Sequence, residues 1–254
     1  MPKGSRPFLK PLELKKAVLF DLGNTLAQYY EMTEFPSILE QGISNVSNYL
    51  GSLGFPSIPA PVLAERVKQE NHESKDYRVR PLEDRLYRIF QLDDAYSGHS
   101  ELPITICRRF TEPIFALGQL YNDVLPSMKE LQSKGLKIGI VSNTSWGSPA
   151  ALWREEINRL GLEGYADKVV FCMDVGWRKP DARIFAFALQ ELGVTADESV
   201  FVGDEPRWDV AGPKAVGMDS IVIDRIGRFK DEHPHAIHNL LELPSMLRPA
   251  RDSR

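Results

Sequence analysis

Apolar residues run without a break from Ala17 to Phe20 and stop at a carboxylate, Asp21, before the turn-forming stretch Leu22-Gly23-Asn24-Thr25. A short apolar run bounded by turn formers predicts a strand buried on both faces, the kind found in parallel sheets with helices above and below. Past Thr25 the apolar spacing changes to every third and fourth position. Residues 39–53, 62–69, 82–92 and 104–117 each predict a helix, and breaks such as Gly54-Phe55-Pro56-Ser57-Ile58-Pro59-Ala60-Pro61 separate them. An all-helical stretch of about 90 residues far exceeds the dozen or so that a βαβ crossover needs, so it predicts a separate inserted domain.

From Asp123 onward helix and strand alternate. A helix over 125–134 has Pro126 in its first turn and Gly135 just past its end, and a buried strand over 136–141 stops at Ser142-Asn143-Thr144-Ser145. A helix over 149–160, a strand over 169–171, a helix over 181–192 and a strand over 199–202 ending at Gly203-Asp204 come next. A short helix interrupted near Pro213 leads to the strand 220–223, expected to close the sheet, and a last helix is expected over 240–247. Such alternation predicts an α/β fold with a doubly wound parallel sheet and right-handed crossovers.

Composition removes several function classes. At 254 residues and 43% hydrophobic the chain can bury a full core, and its net charge of -4 lacks the sequence-wide basic excess of a nucleic-acid binder. No apolar run approaches the roughly 18 residues of a membrane span. Residues 1–15 are basic but broken by Pro2, Pro7 and Pro11, with no apolar core, and read as a loose arm rather than a secretory signal. Cys107 and Cys172 lie far apart in apolar or mixed surroundings, which suits reduced thiols of a cytoplasmic protein better than a disulfide or a nucleophile.

Four strand ends carry polar residues to one edge of the expected sheet: Asp21, Ser142, Lys179 in the turn Trp177-Arg178-Lys179-Pro180, and the loop Gly203-Asp204-Glu205-Pro206-Arg207-Trp208-Asp209. Each of these alone also reads as an ordinary turn or helix start. Brought together, Asp21, Asp204 and Asp209 would repel one another unless a cation intervened. A hard divalent ion with oxygen ligands, most simply Mg²⁺, would balance them together with Lys179, and Ser142 would donate to an oxygen of a bound anion.

In order and approximate spacing, Phe20-Asp21-Leu22-Gly23-Asn24-Thr25, Val141-Ser142-Asn143, Lys179-Pro180 and Gly203-Asp204 with Asp209 resemble the four motifs of the haloacid dehalogenase-like (HAD) hydrolase superfamily. The resemblance implies a Rossmann-like core over 1–26 and 118–254 and a helical cap of the first type over 27–117. It further implies a Mg²⁺-dependent hydrolase, above all a phosphatase of small phosphorylated metabolites, with Asp21 as the nucleophile that takes the phosphoryl group. Asp21 and Asp204 would bind Mg²⁺ through carboxylates and Gly23 through its backbone carbonyl. Ser142, Asn143 and Lys179 would bind the substrate, Ser142 and Lys179 having catalytic roles as well. Asp209 would orient Lys179 or a metal-bound water and belongs to the metal group.

One position departs from that pattern. Phosphatases of the family carry a second Asp two residues after the nucleophile, and here that position is Gly23. Removing a general acid-base group typically costs about 10² to 10⁴ in rate. Family members that dehalogenate 2-haloacids or cleave phosphonates also lack that Asp, and so would a catalytically weak binding or regulatory protein on the same frame. Trp146, Trp177 and Trp208 sit beside motif residues and read either as the lining of a closed cap–core pocket or as packing for neighbouring loops. Arg78, Arg80, Arg85 and Arg88 read as a solvated helix face in preference to a greeting for an anionic substrate. His233, His235 and His238 read as the start of the terminal helix rather than a metal site.

Overall fold

The computed structural model describes residues 12–72, 75–92, 101–229 and 236–249. β1 (Leu12–Lys15) and β2 (Ala17–Phe20) lead through a short β3 (Ala27–Gln28) into four helices, α1 (Phe35–Ser52), α2 (Ala60–Glu70), α3 (Leu82–Phe90) and α4 (Leu102–Phe115). β4 (Gln119–Leu120), α5 (Val124–Ser133), β5 (Lys137–Ser142), α6 (Ala150–Arg159), β6 (Lys168–Phe171), α7 (Cys172–Val175) and α8 (Ala182–Leu192) follow. β7 (Ser199–Gly203), α9 (Pro206–Asp209), α10 (Ala211–Ala215), β8 (Asp219–Ile223), β9 (Ala236–Ile237), α11 (Leu243–Met246) and β10 (Leu247–Pro249) complete the order.

Six strands form one parallel sheet in the order β6-β5-β2-β7-β8-β9. The side chains of Val18 and Phe20 join Met128, Leu131, Trp153 and Ile157 of α5 and α6 in one cluster, while Ala17 and Leu19 join Ile184, Phe185, Ala188 and Leu192 of α8 in another. Both faces of β2 are therefore covered, which is why its four residues are all apolar and fully buried. Each such large side chain contributes about 1.5–3 kcal/mol. The chain moves outward from β2 through β5 to β6, then returns to the other side of β2 as β7. The strand order thus reverses between β2 and β7, and the crevice that such a reversal opens lies at their carboxyl ends.

The helical segment has its own apolar cluster. Leu39, Ile43, Val46 and Leu50 recur on one face of α1 and meet Leu86 and Ile89 of α3 and Ile106 and Phe110 of α4. Gly42 permits this closeness, because a Cβ there would lie 2.7 Å from the Phe110 carbonyl oxygen. Trp146 and Leu152, from beyond β5, belong to the same cluster and tie the insert to the sheet.

Several expectations change. Residues 12–15 are not part of a loose arm: β1 pairs in parallel with β10, and buried Lys15 reaches the Asp197 carbonyl and the Asp219 carboxylate, each at 2.6 Å. The first insert helix starts at Phe35, and β3 pairs with β4 at its base, a two-residue ribbon too short to leave a periodic signal. β8 does not close the sheet, because β9 pairs beyond it. The helix expected over 240–247 is a turn of 3₁₀ helix followed by α11, after which the chain becomes β10. His233 and His235 lie outside the described residues, and His238 places Nδ1 2.6 Å from the Asp224 carbonyl oxygen.

Gly147 has a φ of +73°, and a Cβ on it would overlap the Arg80 carbonyl oxygen of the insert. Gly147→Ala is expected to lower stability by about 2 kcal/mol or more, combining overpacking against backbone with an unfavourable φ. The midpoint of a urea unfolding curve checks this, and an unchanged midpoint would refute the close contact between loop and insert.

Candidate active site

The backbone N–H of Asp21 continues the sheet by donating to the Val202 carbonyl at 2.9 Å, which fixes the carboxylate at the crevice between β2 and β7. Ser142 ends β5 one strand away and donates from Oγ to Asp21 Oδ1 at 2.9 Å. Lys179 donates from Nζ to the same oxygen at 2.6 Å and to Asp209 Oδ1 at 2.8 Å, with its side chain 2% exposed. No described side chain bonds Asp21 Oδ2. Asn143 holds the Lys179 turn rather than the carboxylates: its Oδ1 accepts from the Lys179 N–H at 2.8 Å and its Nδ2 donates to the Lys179 carbonyl at 3.3 Å. The Lys179-Pro180 peptide is cis.

Asp209 lies almost wholly buried in α9, and its Oδ2 accepts from the Glu205 N–H at 3.1 Å. Gly203 makes room for it, since a Cβ there would overlap the Asp209 carboxylate. Burial acts to lower the pKa of Lys179, but the charges of Asp209 and Asp21 outweigh it and hold the ammonium above its ordinary value. Asp209 is pushed up by burial against the pull of Lys179.

Asp204 follows β7 and, among the described residues, has one positively charged neighbour at bonding distance, Arg228. That guanidinium donates to the Asp204 carboxylate at 3.1 Å and to its carbonyl at 2.8 Å. Burial first, then Asp21 and Asp209, push Asp204 up to about 7. One oxygen from each of Asp21, Asp204 and Asp209 lies within 4.8 Å of the others. Three carboxylates therefore face two cations, Lys179 and Arg228, and the donor set is all oxygen. Both facts fit a hard divalent cation such as Mg²⁺.

Gly23 sits beside this cluster with an ordinary φ, and a Cβ on it would find only Tyr29 Cδ2, at 4.0 Å. A Cβ is accommodated there. A cleft next to Asp204 is lined by Asn24, Glu31, Tyr121, Arg225 and Arg228.

Arg228 is the residue that sequence reasoning missed. Its loop is built by Asp224, which is buried at the end of β8 and accepts from the Arg228 and Phe229 N–H groups at 2.7 and 3.0 Å. The apolar run 221–223 ending on Asp224 repeats the pattern of 17–20 ending on Asp21, and that repetition was the available signal.

The tryptophans divide. Trp146 is buried, stacks on Phe110 with ring centres 5.3 Å apart, and donates to Asn71 at 3.2 Å, so it is packing between loop and insert. Trp177 is half-buried, with the guanidiniums of Arg78 and Arg183 over its ring. Trp208 is also half-buried, and its Nε1 has no hydrogen-bond partner among the described residues. Of the four arginines expected on a solvated face, Arg85 is a correction. It is 5% exposed, because Trp146 and α2 cover it. Arg88 and Arg80 do sit at the surface, paired with Glu70 and Asp76.

A family model for haloacid dehalogenase-like hydrolases matches residues 15–217. Among curated proteins, the chain is 35% identical to a glyceraldehyde 3-phosphate phosphatase of Methanopyrus kandleri over 47% of its own length and about half (49%) of the relative's. It is 28% identical to the protein of that name from Methanothermobacter thermautotrophicus over 82% of this chain and 85% of the other. A phosphoserine phosphatase of Thermus thermophilus is 33% identical over 48% and 46%. Among solved structures, a HAD phosphatase from Thermococcus onnurineus is 29% identical, covers 91% of this chain and 97% of its own, and superposes with a TM-score of 0.61. A 2-haloacid dehalogenase from Pseudomonas syringae, 24% identical over 92% and 98%, shares the fold with a TM-score of 0.64. With its strand-end carboxylates around Lys179 and a family match over most of its length, this chain belongs to the haloacid dehalogenase-like hydrolases.

Proposed function

We propose that this protein is a Mg²⁺-dependent phosphatase of small phosphorylated metabolites that works through an aspartyl phosphate on Asp21. The observation that carries the reading is the convergence of Ser142 Oγ and Lys179 Nζ on Asp21 Oδ1, which leaves Oδ2 without a described partner. The phosphatase names of the relatives agree with it. In this scheme residues 27–117 form the cap and the remainder the core.

Asp21 Oδ2 attacks phosphorus, the ester P–O bond breaks, and the alcohol oxygen leaves with a proton it must gain from elsewhere. Ser142 and Lys179 move their hydrogen bonds to the non-bridging oxygens and stabilise charge that develops there. Asp209 and Asn143 position Lys179, one through its ammonium and the other through its backbone. Asp21 and Asp204 through their carboxylates and Gly23 through its carbonyl would hold Mg²⁺, which when bound would neutralise charge on the phosphoryl group. Water then cleaves the aspartyl phosphate, restoring Asp21 and releasing phosphate.

Gly23 offers no carboxyl to protonate the leaving group or to activate that water. A second reading draws on the same fact: displacement of halide from a 2-haloacid by Asp21, whose leaving group needs no proton, followed by hydrolysis of the aspartyl ester by water. Asp204 has no task in that chemistry, so a halide-release assay without Mg²⁺ separates the two.

Asp21→Asn is expected to lower phosphate release from an aryl phosphate by at least about 10³-fold, as loss of a group acting in a catalytic unit does. Asp204→Asn should weaken Mg²⁺ binding by at least about tenfold, a loss that even outer partners of metal ligands produce. Release assays and calorimetric Mg²⁺ titrations give both numbers. Wild-type rates in Asp21→Asn would end the nucleophile assignment.

Gly23→Asp should raise hydrolysis of an alkyl phosphate by about tenfold or more, because the position is open and its φ is one Asp adopts freely. The wild type should favour aryl or acyl phosphates and accumulate a phosphoenzyme that acid quenching traps. Equal rates on aryl and alkyl esters, with no trapped species and no gain in the variant, would mean that another residue supplies the proton.

A further inference from the structure

Under the seam between α3 and the loop 143–148 lies a group of arginines that the scheme above leaves unused. Arg85 is 5% exposed, donates from Nη1 to the Glu70 carbonyl at 2.6 Å, and lies 5.2 Å from the centre of the Trp146 ring. Its Nε has no hydrogen-bond partner among the described residues. The Glu70 carboxylate, whose charge attracts it, is taken by Arg88 through bonds of 2.7 and 2.9 Å. Burial is the main force pulling the Arg85 guanidinium down to about 10, and after the opposing pull of Glu70, Arg178, Arg88 and Arg80 add to it. Arg85 nevertheless stays cationic at neutral pH.

Arg178 faces this group from the core side. It directly precedes Lys179, is half-buried, and reaches the Thr144 carbonyl at only 3.4 Å, with no ion pair to a described carboxylate. Its charge acts on Tyr30, whose hydroxyl lies 3.2 Å from Ser145 Oγ. Arg80 stands at the rim, its contacts with Asp76 stretched to 3.4 Å. Like charges gathered around a buried, incompletely bonded guanidinium are unfavourable until an anion joins them. Arg178 reaches the loop that starts at Ser142 and directly precedes Lys179, so the anion would belong to the molecule whose phosphoryl group meets Asp21.

We propose that Arg178, backed by Arg85 and Arg80, binds a second anionic group of the substrate, a carboxylate or a second phosphate, and selects phosphomonoesters that carry one. This rests on the phosphatase reading of the Asp21 site. Two ligand pairs test it: 3-phosphoglycerate against glycerol 3-phosphate, which differ in a carboxylate, and fructose 1,6-bisphosphate against fructose 6-phosphate, which differ in a phosphate. Dissociation constants are measured by calorimetry with Mg²⁺ in Asp21→Asn protein, which cannot consume the ligand, alone and combined with Arg178→Gln or Arg178→Lys.

A preference of about tenfold or more for the more anionic member is expected in one pair, falling toward one with Gln and partly restored with Lys. The pair that shows it identifies the anion. No preference in either pair, or a preference that Arg178→Gln leaves intact, overturns the proposal, and Arg178→Lys carries the test if Gln impairs folding. Phosphate release by the unmodified protein separates the two readings: an Arg178-dependent preference without turnover refutes the phosphatase alone, and turnover without a preference refutes the arginine site alone.

Discussion

The Lys179 ammonium, sealed between Asp21 and Asp209, is the interaction on which the site depends. A buried cation is tolerated only when its protons are taken up, and here two carboxylate oxygens at 2.6 and 2.8 Å do so, with the Phe201 ring 5.2 Å away. Deleting either carboxylate would leave the other to hold the ammonium and one buried N–H without its acceptor, a loss of about 1–3 kcal/mol. The same geometry requires three segments far apart in sequence to finish at one place. Phe20 lies opposite Ile140 and Val202, so the parallel register brings Asp21, Ser142 and Asp204 to one edge while the Asn143 clamp sets the height of Lys179.

Most of the sheet and most of this site were legible in the sequence because both rest on local rules. A short apolar run bounded by turn formers reads as a strand covered on both faces, and several such runs ending in polar residues point to one shared crevice. What was not legible depends on pairing across the whole chain. Among the described residues β1 and β10 pair with each other alone and hold too few residues to show a period. Lys15 gave no sign of burial because its partners, Asp197 and Asp219, are about two hundred residues away. Arg85 was misread for a related reason. Spacing places it on a helix face, but only the position of Trp146 decides whether that face meets water.

Asp204 and Lys179 were found by the same argument and differ in how complete their surroundings are. Lys179 has two carboxylates and a clamped backbone. Asp204 has one guanidinium among the described residues, whose side chain is 37% exposed, and burial followed by two acidic neighbours raises its pKa. If Asp204 takes a metal as proposed above, preorganisation is uneven in a useful direction: Lys179 is locked, and Asp204 is held by a surface arginine that can release it.

Backbone conformation adds a last constraint. Asn24 and Trp146 both have positive φ, at 56° and 54°, and they stand in the loops that follow β2 and β5, the two strands that carry Asp21 and Ser142. Asn adopts such a conformation readily, whereas for a large side chain it costs roughly 1–2 kcal/mol. Trp146 recovers that cost by burying its ring against Phe110 and bonding Asn71, all within the helical insert. The conformation of the loop beyond Ser142 is therefore supported by the insert packed on it. Movement of the insert as a lid would have to keep Trp146 with α4 and bend the chain elsewhere, and the links available for that are the two strands of the β3–β4 ribbon, where the insert leaves and rejoins the core.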